Sequence, residues 1–292
     1  LIPLRTNIGV VRNGVECAII DTGIDEDAGK RILRTVSSLG LTIKGIVNTH
    51  SHPDHYGGNA FLVQRTGASV SAPAAEAWVL ENPWLEAAYF NQGAVPFSQL
   101  DNKFVIGQAS PVNQKIVQGP LEAGSVRLEA VALPGHSFAM TGVGAGRVLF
   151  CGDALFGEET IRKHGVLYLH DPDRARESLR KLEGLPYDVF VPSHGQPCAR
   201  AELSSLVRAN VGAIDAFDEA ILRALDTPMS LSRLTSRALI AAGLHLEDES
   251  KITLMQSTAR AHMSCLSRRG RVVISPGLAG TEMENDLVCS RL

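Results

Sequence analysis

The stretch Thr49 to Gly58, THSHPDHYGG, sets three imidazoles and a carboxylate, His50, His52, Asp54 and His55, within six residues. A strand cannot aim all four at one point, because its successive side chains alternate faces, whereas a loop leaving the C-terminal end of a strand can. The preceding Gly45-Ile46-Val47-Asn48 reads as that strand, Pro53 as a break in regular structure, and Gly57-Gly58 as free backbone before an amphipathic segment from Asn59 to Arg65. Hard and borderline donors presented on an irregular loop suit a divalent metal such as zinc.

The rest of the chain repeats the device. Val15 to Ile20 reads as a strand ending in Asp21-Thr22-Gly23, and a helix follows from about Asp27 to Leu39, with Ile32, Leu33, Val36 and Leu39 on one stripe and Gly40 as its stop. Ala68 to Ser71 is a further short strand. Val126 to Val131 alternates, with Val126, Leu128 and Ala130 on one face and Arg127 and Glu129 on the other, and runs into Leu133-Pro134-Gly135-His136. Arg147 to Cys151 is an apolar strand ending at Gly152-Asp153. Asp171 caps a helix with Pro172 at its first position, running to about Gly184, and Asp188 to Val191 is a buried strand ending in Pro192-Ser193-His194-Gly195. Four strands thus deliver metal-type ligands at their ends, in an alternation of strand and helix that is α/β in character.

Pro73 to Gly119 has a looser pattern. After a short helix, Ala74 to Glu81, it turns rich in Asn, Gln, Pro and Gly, yet it holds Trp78, Trp84, Tyr89, Phe90, Phe97 and Phe104, six of the fifteen aromatics. It reads either as a lid or contact surface or as a self-packed surface loop. After Pro197 the texture becomes helical: about Ala201 to Leu225, Leu231 to Ala242 and Ser250 to Arg268, with a terminal strand Arg271 to Ile274. That is the order of a winged helix. From Arg200 onward eleven Lys/Arg balance eleven Asp/Glu, which favours packing or dimerisation over nucleic-acid binding. The stretch from Ala279 reads as a frayed tail.

With a net charge of −3, no global basic field draws the chain to nucleic acid or an anionic membrane. No apolar run approaches 18 residues, so no membrane span is expected. Leu1-Ile2-Pro3-Leu4-Arg5 lacks a signal-peptide layout, and the missing initial Met suggests that a few residues precede it. Cys17, Cys151, Cys198, Cys265 and Cys289 are scattered singly, which fits a reducing, cytoplasmic location rather than a disulfide framework.

Taken together, HxHxDH, then His136, then Asp153, then His194, preceded by a strand ending in Asp-Thr-Gly, resembles the metallo-β-lactamase superfamily of hydrolases from about Asn7 to Pro197. The resemblance implies a four-layer αββα sandwich, residues 1–199, with 73–119 as insert or lid. A small winged-helix-like helical domain, 200–278, and a tail, 279–292, would follow. It implies two divalent metal ions, zinc first, with iron or manganese accepted by the same donors. His50, His52 and His136 would hold one ion, Asp54, His55 and His194 the other, Asp153 would bridge, and Asp21 would orient ligands from outside. Two ions about 3.5–4 Å apart share a hydroxide that attacks the substrate. Asp54 would also shuttle a proton. His164, Tyr168 and His170 are candidates to line the pocket. Arg162 and Lys163 read either as a substrate carboxylate or phosphate site or as a solvated turn, and His245 and His262 as structural.

Asp153, where the true zinc β-lactamases carry Cys, makes the site look like the glyoxalase II, lactonase and RNA-processing branches, and His52 is unlike the glutamate of the diiron flavoproteins. About forty residues between Asp153 and His194 leave no room for a large nuclease insert. SFAMTGVG after His136 departs from the commoner sequence there, implying an altered pocket. The expected function is hydrolysis of a small thioester or lactone, with a possible homodimer. The alternatives are a phosphodiesterase or ribonuclease of the same fold, and a sensor whose metal domain governs a DNA-reading winged helix.

Overall fold

Residues 1–280 and 282–291 are described in a computed structural model. Two six-stranded sheets lie face to face. The first runs β1 (Ile2–Pro3), β2 (Asn7–Asn13), β3 (Glu16–Ile20), β4 (Thr42–Val47), β5 (Ser69–Pro73) and β6 (Gln114–Ile116) in spatial order. In the second, β7 (Gly119–Ala123), β8 (Val126–Ala132), β9 (Thr141–Ala145), β10 (Val148–Gly152), β11 (Val189–Pro192) and β12 (Cys198–Ala199) are likewise neighbours in chain order. β3 to β6 are parallel, as are β10 and β11. These parallel pairs leave several strand ends, and the loops after them, at one edge, which is where converging ligands are needed.

Alternation along β3 shows why there are four layers. Cys17 and Ile19 pack with Ile32 and Val36 of α1 (Glu26–Ser38), whereas Ala18 and Ile20 face Leu121, Ala123 and Val143 of the second sheet. On the far side, Leu149, Cys151 and Phe190 pack with Leu179 and Leu182 of a helix over Pro172–Gly184, whose cap Asp171 accepts from the amides of Asp173 and Arg174. Asp25 caps α1 in the same way, accepting from Ala28. Numbered in chain order, the remaining helices before that one are α2 (Pro53–Tyr56), α3 (Asn59–Thr66), α4 (Ala77–Glu81), α5 (Trp84–Phe90) and α6 (Glu158–His164), making Pro172–Gly184 α7.

The sequence reading missed β9. Its glycines suggest a turn, but Gly144 leaves the space taken by Tyr187, whose hydroxyl would lie 2.2 Å from a Cβ built there. The aromatic-rich segment is anchored through Phe90, which packs with Ala87, Leu100 and Val105 and against Leu254, while Trp78, Trp84, Phe97 and Phe104 stay exposed.

Beyond β12 come α8 (Arg200–Ala224), β13 (Met229–Ser230), α9 (Leu231–Ala241), α10 (Glu249–Arg268), β14 (Val272–Pro276) and β15 (Leu287–Arg291), the strands ordered β13-β15-β14. α8 serves two cores: Leu203, Leu206 and Val207 join the sandwich, and Phe217, Ile221 and Leu222 join Leu234, Met263 and Val272. No linker therefore separates the helical unit from the sheets. The expected frayed tail is ordered over β15, where Cys289 pairs with Ile274 and is fully buried. A five-residue strand with a single small buried residue carries too little pattern to be read locally. Thr281 and Leu292, both in that tail, lie outside the described residues. No helix among the described residues is long and apolar enough to cross a membrane. All five cysteines are buried and free.

One buried polar cluster ties α7, α8 and α10 together. His262 Nδ1 donates to Asp218 Oδ1 at 2.7 Å, and Asp218 Oδ2 accepts from Arg176 at 2.6 Å and Arg269 at 3.0 Å. Burial, opposed by Asp218, holds His262 below its usual value. Burial raises Asp218, but His262, Arg176 and Arg269 outweigh it and hold the carboxyl low. Both depressed values have the same sign: the unfolded chain takes up protons that the folded chain refuses, so stability is lost as pH falls, first below about 6.5 for His262 and then below about 3.9 for Asp218. His262→Gln is expected to flatten the fall in melting temperature between pH 7 and 5. Melts across that range check it, the maximal slope for one proton being about 1.4 kcal/mol per pH unit.

Candidate metal centre

The ligand stretch is half loop and half helix. Pro53 does not simply break structure; it starts α2 at the first helical position, where its missing N–H costs nothing, and places Asp54 and His55 on one helical turn. Gly57 and Gly58 have ordinary right-handed backbone angles, so they supply space rather than conformational freedom. A Cβ at Gly57 would lie 2.1 Å from the carbonyl oxygen of Ile24, and one at Gly58 2.5 Å from that of Thr22. A buried amide network braces the turn: Asn48 Nδ2 donates to His55 O at 2.9 Å, Asn59 Nδ2 to Asn48 Oδ1 at 2.7 Å, and Thr22 Oγ1 to Asn59 Oδ1 at 2.7 Å.

The strand ends bring His50, His52, Asp54, His55, His136, Asp153 and His194 together. Ligand atoms of His50, His52 and His136 lie within 4.8 Å of one another, as do those of Asp54, His55 and His194 and those of His50, His55 and Asp153. His52 Nδ1 is 3.0 Å from His50 Nε2 and 2.9 Å from His136 Nε2. Asp153 Oδ2 lies 3.5 Å from both His136 Nε2 and His194 Nε2, between the two groups. His194 Nε2 is 3.2 Å from Asp54 Oδ2.

The outer ring nitrogens decide what this arrangement can do. His50 Nδ1 donates to Thr49 Oγ1 at 3.0 Å, His55 Nδ1 to Asp21 Oδ2 at 2.8 Å, His136 Nδ1 to Tyr168 O at 3.0 Å and His194 Nδ1 to Arg5 O at 3.2 Å. Each of these four rings thereby carries its proton outside and turns the Nε2 lone pair inward. Among the described residues, buried His55 Nε2 and Asp153 Oδ1 have no hydrogen-bond partner and lie 3.7 Å apart. Converging lone pairs and carboxylates without donors between them repel one another unless a cation sits there, so the residues fit divalent ions. The donor set does not choose among zinc, iron and manganese.

Without an ion, electrostatics divides the rings into two kinds. Burial and the neighbouring imidazoles hold His50 and His136 well below the usual value, and burial brings His52 down to about 3, against the pull of Asp54. Burial opposes charge on His55 and His194 as well, but Asp54, Asp21 and Asp153 push His55 up to about 10, and Asp153 with Asp54 raises His194. Burial also favours the neutral form of Asp54, yet His55 and His194 hold it well below the carboxylate range, whereas burial raises Asp153. The two carboxyls are thus driven apart.

Asp21 sits outside the cluster. It accepts from Thr49 N at 2.8 Å, Thr49 Oγ1 at 2.9 Å and His55 Nδ1, and its backbone is left-handed at φ 59°. Of the candidate pocket residues, Tyr168 packs edge-on against His52 and His136, and it lines with His164 a cavity of about 1210 Å³ that opens on His52, Asp54, His136 and Asp153. His170 lies elsewhere, bound through Nδ1 to the Tyr89 hydroxyl at 2.8 Å and packed on Phe138. Lys163 lines the cavity, as do Leu254 and Met255 of α10. Sequence reasoning missed two buried acids, Glu76 and Glu86, the latter with Oε1 3.7 Å from His52 Nε2. Their only local signal is a carboxylate set among aromatic and aliphatic residues.

Residues 1–194 match the model of the metallo-beta-lactamase superfamily. Over 178 residues the chain is 28% identical to a hydroxyacylglutathione hydrolase of Rhodospirillum rubrum, covering 60% of this chain and 55% of that protein. The chain thus spans about half the length of the curated relatives it matches. A solved metallo-beta-lactamase family protein of Thermus thermophilus shares the fold over 98% of this chain and 94% of its own, with a TM-score of 0.72 and 23% identity. A protein solved in a di-iron-bound form is 25% identical, covers 70% of this chain and 96% of its own, and has a TM-score of 0.53.

Proposed function

Because the chain belongs to the metallo-beta-lactamase superfamily, we propose that it is a metal-dependent hydrolase of a thioester, adding water across an acyl–sulfur bond to release a carboxylic acid and a thiol. The observation that carries this reading is the set of imidazole lone pairs turned inward around Asp153 at the floor of the cavity. His50, His52 and His136 would hold one divalent ion and Asp54, His55 and His194 a second, with Asp153 reaching both. Ions bound there would supply Lewis acidity and a water-derived nucleophile at neutral pH. Asp54 is the proton carrier: it lines the cavity, is held ionised, and accepts from Thr6 Oγ1 through Oδ2 at 3.3 Å.

The cavity supports a thioester with a bulky thiol. At about 1210 Å³ it exceeds the roughly 300–1,000 Å³ usual for a drug-sized ligand, and Arg5 and Lys163 on its wall suit a carboxylate on the leaving group. The relatives named hydroxyacylglutathione hydrolases point in the same direction. Leu254 and Met255 favour a C-terminal unit that closes the pocket. A polymeric nucleic acid is disfavoured because the arginines that would extend a basic groove are paired: Arg268 with Asp171, Arg269 with Asp173 and Asp218, and Arg271 with Glu219.

Protein loaded separately with zinc, manganese and iron and assayed on thioesters, lactones and bis-p-nitrophenyl phosphate is expected to turn over the thioesters best. Activity confined to the phosphodiester, or none with any metal, would overturn the reading.

A further inference from the structure

Glu76 immediately precedes α4, in the aromatic-rich segment, and is fully buried. Its Oε2 accepts from Ser51 Oγ at 2.5 Å, and its Oε1 from Ser137 Oγ at 2.7 Å and Ala139 N at 2.8 Å. Ser51 stands between His50 and His52, and Ser137 directly follows His136. One carboxylate therefore ties the His136 loop to the His50–His52 stretch; Asp54 and His55 follow on that same stretch but are braced separately, His55 through Asp21 and Asn48, and no donor to Glu76 comes from the loops carrying Asp153 or His194. A buried carboxylate is tolerated where several donors replace its hydration, as three do here.

The geometry points to Glu76 as a positioning residue that sets the spacing of His50, His52 and His136, and so selectively tunes one of the two metal positions from the segment that borders the cavity. The inference rests on the metal reading above and goes beyond it in assigning an asymmetry between the two positions. Removing the clasp leaves every metal ligand in place but frees the His136 loop to drift from the His50–His52 loop. Outer residues of this kind are worth roughly 10–100-fold in metal affinity.

The test uses Co²⁺ as the probe, added to metal-free full-length protein, with competition titration for the two affinities and visible absorption for the ligand field. Glu76→Gln is expected to weaken one equivalent about 10–100-fold and shift its bands while the other equivalent keeps its parental affinity. Ser51→Ala, which removes a single donor, is expected to do the same to a smaller degree, and it decides the matter should Glu76→Gln not fold. Two equivalents with parental affinities and spectra in the variants would overturn the inference while leaving the metal reading intact. So would equal weakening of both sites with a lowered metal-free melting temperature, the outcome of a merely structural role. Parental protein that binds fewer than two equivalents overturns the metal reading itself, and the clasp with it.

Discussion

His52→Ala is expected to lower kcat/KM on a thioester by about 10³-fold or more, because the interactions lost with a displaced ion are worth several kcal/mol in the transition state. His52 is the shared vertex of the three-nitrogen group, with its Nδ1 3.0 Å from His50 Nε2 and 2.9 Å from His136 Nε2. Without it the group keeps two nitrogens that are held apart by separate loops. The substitution also separates chemistry from folding. His52 is only partly buried, on the cavity wall, whereas His50 and His55 are fully enclosed, so His52→Ala should leave the metal-free melting temperature nearly unchanged. Turnover within tenfold of the parental rate would remove the metal reading.

The ligands were legible in the sequence for a physical reason. Each stands at the end of an apolar strand, β4, β8, β10 or β11, and a strand end followed by Gly, Pro, Asp or His is a local pattern. Their partition into two groups came from the family resemblance, and the distances are compatible with it. What stayed hidden depends on contacts distant in sequence. Glu76 and Glu86 sit in a stretch with no clean period, and only the arrival of Ser51, Ser137 and His52 from elsewhere gives them partners. β9 was hidden because Gly144 answers to Tyr187, more than forty residues on, and β15 because its pairing with β14 supplies what five residues of pattern cannot. Pro53 reads locally as a break, and that it starts a short helix instead is set by the chain around it, since no side-chain cap marks the start. His170 looked like a pocket residue because, like His164, it follows the bridging Asp153, but its ring faces Tyr89 and Phe138.

The second large effect concerns stability. Asp21→Ala is expected to cost about 4 kcal/mol, a large share of the roughly 5–15 kcal/mol that holds a typical domain together. Three donors lose their acceptor: Thr49 N, Thr49 Oγ1 and His55 Nδ1. Thr49 Oγ1 still accepts from His50 Nδ1 at 3.0 Å, but its own proton loses its acceptor, and the amide of Thr49 and the ring of His55 are buried with nowhere to turn, at about 1–3 kcal/mol each. The left-handed backbone at φ 59° adds roughly 1 kcal/mol for alanine, a conformation that Asp and Asn tolerate better. Asp21→Asn should therefore be milder in stability, since its Oδ1 can still accept from Thr49 N. It should nonetheless disturb the site, because its amide group facing His55 Nδ1 favours the tautomer with the proton on Nε2, where the lone pair is needed. Chemical denaturation of the metal-free variants, followed by Co²⁺ titration, separates the two consequences. A large stability loss in Asp21→Ala with a small one in Asp21→Asn, and weakened metal binding in both, is the expected result. Parental metal affinity in Asp21→Asn would mean that His55 keeps its inward lone pair without Asp21, and that the carboxylate is there for the fold alone.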